Sequence, residues 1–173
     1  MSALVVLIGP MASGKTKIGK RIARELGAKR LDTDSMFVAD HGPIAAFFDT
    51  SGEKEFRRLE AEYVAEALTQ DAVVSLGGGA VLSSDTQRLL EGEHVVSLHV
   101  SEESVISRLT GGKRPLLAQG IESWTRIYAE RRPIYERLAN RTYDTSTNDL
   151  DGIAHDIAAW IASGYTAHQK VES

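Results

Sequence analysis

The segment Gly9-Pro-Met-Ala-Ser-Gly-Lys-Thr16 places two glycines, a lysine and a hydroxyl at the spacing G-x-x-x-x-G-K-[ST]. That spacing suits a grip on polyphosphate. Amides around Ser13 to Thr16 point at phosphate oxygens, Gly14 lets the backbone come close, and a helix N-terminus adds positive potential. Lys15 would reach the β- and γ-phosphates, and Thr16 would offer its hydroxyl to Mg²⁺, whose octahedral shell is completed by phosphate oxygens and water. Ala12, Ser13, Gly14, Lys15 and Thr16 are the candidate ATP contacts. Pro10 has no N–H, so the amide cradle must come from later positions of the loop.

Two more groups could act on whatever meets that phosphate. Asp32-Thr-Asp34 holds two carboxylates two residues apart, which on an extended segment project the same way. One can orient metal-bound water while the other faces an acceptor hydroxyl. An aspartate capping the following helix is the competing reading, and the motif alone leaves both open. Gly77-Gly-Gly79 exceeds what a strand-to-helix turn needs and favours close approach of backbone to a ligand.

These groups need a scaffold, and the hydrophobic pattern supplies one. Ala3 to Ile8 is apolar without alternation, as a strand buried on both faces requires. Lys15 to Leu26 has helical spacing and ends at Gly27, a C-cap. Further strands are predicted at Arg30 to Asp32, Ala72 to Leu76, Val95 to Val100 and Thr142 to Asp144. Helices are predicted over 52–70, 85–90, 102–109, 122–140 and 149–162. Pro133 is expected to kink or restart the helix over 122–140. Strands alternating with helices call for an α/β fold with a parallel sheet covered on both sides.

The 173 residues suit a single domain over 1–173, with a tail at 164–173 expected to be loose. A net charge of −4, from 20 basic and 24 acidic residues, removes the broad attraction that nucleic-acid binders use, so any anion must be held by a local cluster. No nucleic-acid partner is expected. The absence of cysteine excludes a disulfide framework, a thiolate zinc site and a cysteine nucleophile. The apolar start has no basic flank and is too short to span a bilayer, so the expectation is a cytoplasmic chain without membrane contact. No Asn-Lys-x-Asp string is present to read guanine, which argues against a GTPase switch.

Taken in order, Gly9-x-x-x-x-Gly-Lys-Thr16, Leu31-Asp-Thr-Asp34, Glu55-Phe-Arg-Arg-Leu-Glu60, Ser75-Leu-Gly-Gly-Gly-Ala-Val81 and Arg114-Pro-Leu-Leu117 resemble the shikimate kinase family over nearly the whole chain. The resemblance implies the P-loop NTPase fold of the nucleoside monophosphate kinase type: a five-stranded parallel sheet flanked by helices, a substrate-binding segment at about 33–60 and a lid at about 110–121. It implies transfer of the γ-phosphate of ATP to the 3-hydroxyl of shikimate, with Mg²⁺, in a monomer or weakly associating chain. By similarity Arg57 and Arg131 bind the substrate carboxylate, Asp34 accepts from the hydroxyls and is the general base or orienter, and the Gly78 amide contacts substrate. Asp32 would hold magnesium through water, with Thr16 as direct ligand. Arg114 would swing in to neutralise the transferring phosphoryl, making Asp34, Lys15 and Arg114 the catalytic set. Guanidinium forks suit a planar carboxylate.

The chain departs from the family pattern in three places. Ala12 stands where glycine is common, the lid before Arg114 is short, and Ser146-Thr-Asn148 replaces a segment that often offers a basic residue to adenine. Arg24, Arg58, Arg88 and Arg137 are expected on helix surfaces. Arg108 reads equally as an adenine platform or a solvated helix end. Trp124 and Trp160 are expected to pack, and the five histidines show no metal-ligand spacing. A gluconate kinase on the same loop and a nucleotide-binding regulator without turnover are the rival readings.

Overall fold

The computed structural model describes residues 2–110 and 120–164. Residues 111–119 of the expected lid, Arg114 among them, and residues 165–173 of the tail lie outside the described residues. Five strands, β1 (Val5–Ile8), β2 (Lys29–Asp32), β3 (Ala72–Ser75), β4 (Val95–His99) and β5 (Arg141–Asp144), form one sheet in the order β2-β3-β1-β4-β5. All four pairings are parallel.

Side chains alternate across this sheet, and both faces are apolar. Val6, Ile8, Val74 and Val95 face one core, while Val5, Leu7, Val73, Val96 and Leu98 face the other. The first core is covered by α3 (Ile44–Leu68), α5 (Glu102–Thr110) and α6 (Gly120–Leu138), the second by α1 (Lys15–Leu26) and α7 (Leu150–Ala162). Burial on both sides explains the unbroken apolar run in β1. The edge strands β2 and β5 are polar and partly exposed, which discourages pairing with another chain.

Two helices differ from the sequence reading. Asp-Thr-Asp is not extended throughout, because the strand ends at Asp32 and α2 (Thr33–His41) starts at Thr33. The long helix begins earlier than the pattern suggests: α3 starts at Ile44 and is broken by non-helical Gly52, with φ 82°. Only its second limb has the apolar spacing that the sequence displays. Packing secures the first limb and α2: Phe37 is 1% exposed and meets Phe47 at 5.0 Å and Phe56 at 4.9 Å, both edge-on. That aromatic knot sets the position of Asp34 relative to Arg57. At Pro133 α6 continues as one helix, so no restart occurs there. A short helix, α4 (Ser84–Leu89), follows a 3₁₀ turn at Ala80–Leu82.

Candidate active site

The C-terminal ends of β1, β2 and β3 open into one cleft of about 1410 Å³, lined by Lys15, Thr16, Asp32, Asp34, Gly77, Gly78 and Arg131. Pockets for one small ligand are about 300–1,000 Å³, so this cleft has room for a nucleotide and a second molecule.

One wall is the phosphate loop, between β1 and α1. Gly9 has φ 145°, and a Cβ there would collide with the Leu98 carbonyl, so only glycine fits. Gly14, at φ 92°, is the N-cap of α1 and provides no side-chain cap, which leaves the first amides of the helix to a ligand. Three side chains from outside the loop hold three consecutive carbonyls. Trp124 Nε1 donates to Met11 O at 2.8 Å, Arg108 Nη1 to Ala12 O at 2.6 Å, and Thr145 Oγ1 to Ser13 O at 2.8 Å. These ties fix the loop backbone at three successive peptides; the Ser13 amide donates back to Pro10 O at 3.3 Å, and the amides that open α1 after Gly14 are the ones left to a ligand.

Arg108 is therefore not a solvated helix end. It is a strut that also lines the cleft, with Nη2 donating to Thr145 O at 2.6 Å. Trp124 packs as expected, 6% exposed, and in addition reaches the loop. Arg58 pairs with Glu55 and Glu62 on the outer face of α3, Arg88 with Asp85, and Arg137 donates to Gln87, as helix-surface residues do.

Ala12 sits at φ 66°, where a side chain is disfavoured. Ala12→Gly should raise stability by about 0.5–1 kcal/mol, the left-handed penalty less the freedom glycine adds to the unfolded chain. Urea unfolding measures it, and an unchanged or lower midpoint would show that the backbone is not strained there.

Lys15 Nζ donates to Gly9 O and Pro10 O, each at 2.8 Å. Burial lowers its pKa to about 8, with Asp34 and Asp32 opposing and Arg131 adding to the drop. Phosphate would favour the charged form, so nucleotide binding should take up a proton above pH 8. Affinity then falls as pH rises through 8, by up to about tenfold per unit. Calorimetry at pH 8.5 in two buffers of different ionisation enthalpy checks this, since identical heats would mean no proton moves.

The facing wall comes from β2, α2, β3 and α3. Asp32 is the N-cap of α2: its Oδ1 accepts from the Ser35 amide at 3.0 Å. Capping is thus the occupation of one Asp32 oxygen, and Asp34, in the first turn, is the carboxylate left to the cleft. Burial raises the Asp34 pKa, Asp32 adds to the rise, and Lys15 and Arg57 oppose it.

The glycine triplet is shaped by side chains of the site itself. A Cβ at Gly77 would run into Asp34 Oδ1 and lie 3.0 Å from Glu60 Oε1, and one at Gly79 would collide with the Arg57 guanidinium. At Gly78 it would lie 3.6 Å from Arg131 Nη1 and 3.5 Å from Gly9 O. The three positions thus bring Asp34, Arg131 and Arg57 against one strip of backbone.

Arg57 does not line the cleft directly. Its Nη1 donates to Glu60 Oε2 at 2.7 Å, and its Nε is buried without a partner among the described residues. Glu60, 3% exposed, has its pKa raised by burial, against the pull of Arg57. The i,i+3 spacing of Glu60 from Arg57 is its signal in the sequence. Tyr135 has no such signal, and its hydroxyl donates to Gly78 O at 2.5 Å. Asn148 and Leu150 border the cleft beyond Arg108, where the basic residue of the family pattern is missing.

A parallel sheet with a phosphate loop after its central strand, facing a carboxylate and the Arg131 guanidinium with Arg57 against the adjoining glycine strip, defines a small-metabolite kinase on the P-loop NTPase fold. The chain belongs to the shikimate kinase family, whose model matches residues 11–162. It is 44% identical to a shikimate kinase of Mycobacterium avium, covering 92% of this chain and 93% of that one. A shikimate kinase of Corynebacterium efficiens is 42% identical over 84% and 87%. Among solved structures, shikimate kinase from Acinetobacter baumannii in complex with shikimate superposes with TM-score 0.82 at 27% identity, covering 95% and 94%. A gluconokinase from Sinorhizobium meliloti shares the fold at TM-score 0.63 and 20% identity, with 92% and 91% covered.

Proposed function

We propose that this chain transfers the γ-phosphate of ATP to the 3-hydroxyl of shikimate, giving shikimate 3-phosphate and ADP. The observation that carries the reading is the meeting of Lys15, Asp34, Arg131 and Arg57 around Gly77–Gly79. Asp34 and Arg131 act on the Lys15 charge, and Lys15 and Arg57 act on that of Asp34. A phosphate-gripping lysine, a base and a carboxylate-binding pair within reach of one another are what a hydroxylated ring acid and a nucleotide require.

In this reading Arg57 and Arg131 hold the substrate carboxylate and the Gly78 amide fixes the ring. Asp34 takes the proton of the acceptor hydroxyl as its oxygen bonds to the γ-phosphorus and the bond to the β-phosphate oxygen breaks. A raised carboxylate pKa makes Asp34 a stronger base for that proton. Ala12, Ser13, Gly14, Lys15 and Thr16 hold the leaving phosphates, and Arg114 is assigned to the transferring group.

No group of three or more His, Cys, Asp or Glu among the described residues could hold a metal ion. That fits Mg²⁺, which takes one or two protein ligands and fills its shell with phosphate and water. Thr16 and Asp32, both on the cleft, would hold it. When bound it screens phosphate charge. No helix among the described residues is long and apolar enough to cross a membrane, and a cytoplasmic monomer is part of the proposal.

The test is ADP release from Mg-ATP with shikimate, with gluconate and with no acceptor. Release with shikimate alone supports the reading. Release with gluconate, or equal release in all three, overturns it.

A further inference from the structure

Tyr135 is fully buried, yet its hydroxyl is engaged at the cleft. It donates to Gly78 O at 2.5 Å, and the Arg131 guanidinium comes to the same glycine, 3.6 Å from where a Cβ would stand, close enough to act on the phenol electrostatically. Arg131 and Tyr135 are one turn apart on α6, so their side chains share a face. A phenol oxygen can accept while its proton is donated, so Tyr135 can serve both groups at once. Burial pushes its pKa up to about 12, with Arg131 opposing, so it stays protonated and keeps that donor near neutral pH.

We propose that Tyr135 is a positioning residue for the acceptor side of the reaction: its hydroxyl sets the direction of the Arg131 guanidinium and the plane of the Gly78 peptide, and so fixes the grip on a substrate carboxylate. The inference rests on the activity reading above. An arginine has several rotatable bonds, and a free guanidinium must give up that freedom each time it binds. One held in advance by an oxygen on its own helix does not. The nucleotide contacts are on the other wall and do not pass through Tyr135.

Tyr135→Phe removes one oxygen and leaves the ring packing in place, so the variant folds, and a thermal melt of the same preparation verifies it. Shikimate binding to the unaltered protein, measured by calorimetry, comes first: its absence would remove the activity reading and this role together. Given binding, Tyr135→Phe should raise the KM for shikimate about 5- to 20-fold, while the KM for ATP stays within about twofold. An unchanged shikimate KM, or equal rises for both substrates, overturns the positioning role and leaves the activity reading standing. The second arm places Tyr135→Phe in an Arg131→Met background. If Tyr135 acts through Arg131, shikimate affinity there falls by less than about twofold more; full additivity of the two effects would overturn the proposal.

Discussion

Asp34→Asn lowers the rate of phosphoryl transfer by about 10²- to 10⁴-fold, the range for loss of a positioned general base, while nucleotide affinity changes little. The substitution preserves size and hydrogen-bonding shape but cannot take a proton. It also removes a negative charge that favours protonated Lys15, so a modest change in nucleotide affinity at alkaline pH is expected, and none at pH 7. Pre-steady-state quench with the acceptor at saturation measures the step. Equal losses in rate and in ATP affinity would move Asp34 from base to phosphate-side electrostatics. Asp32→Asn can keep the cap that Oδ1 makes with the Ser35 amide, so a loss of rate there that added Mg²⁺ restores reports on metal holding and not on the base.

The second large effect falls on Arg57. Arg57→Ala should raise the shikimate KM about 30-fold or more, since truncating one side of a buried, hydrogen-bonded charge pair costs about 2–5 kcal/mol. It should also lower stability, because Glu60 is left buried without the guanidinium that donates to it at 2.7 Å. Arg57→Lys separates the two consequences: the ammonium still offsets Glu60, but the planar fork is gone. The expected result is near-normal unfolding with a shikimate KM still well raised. Unchanged shikimate dependence in both variants would take Arg57 out of the substrate site.

What the sequence discloses and what it hides divide along physical lines. Strands β1 and β3 and helix α1 are legible because periodicity and caps are local, and Gly27 ends α1 in the left-handed conformation that its position suggested. The phosphate loop is legible because a fixed spacing encodes its shape. The first limb of α3 is not, because the ring contacts of Phe37, Phe47 and Phe56 that secure it join separate elements. The roles of Arg108, Trp124 and Thr145 are hidden for the same reason: each meets the loop across a large separation in sequence. In sequence the glycine triplet points to close approach of backbone to a ligand, and at Gly77 and Gly79 the space is also taken by Asp34 and Arg57. Sequence marks a close approach without naming what approaches.

The three tied carbonyls of the phosphate loop bear on kinetics. A polyanion arriving at Gly14 to Thr16 meets a backbone already held in place, so the ordering of this stretch is settled when the chain folds and not at each encounter. Association then requires little rearrangement of the receptor, and differences in grip among triphosphates should be expressed as residence time, with arrival rates nearly alike.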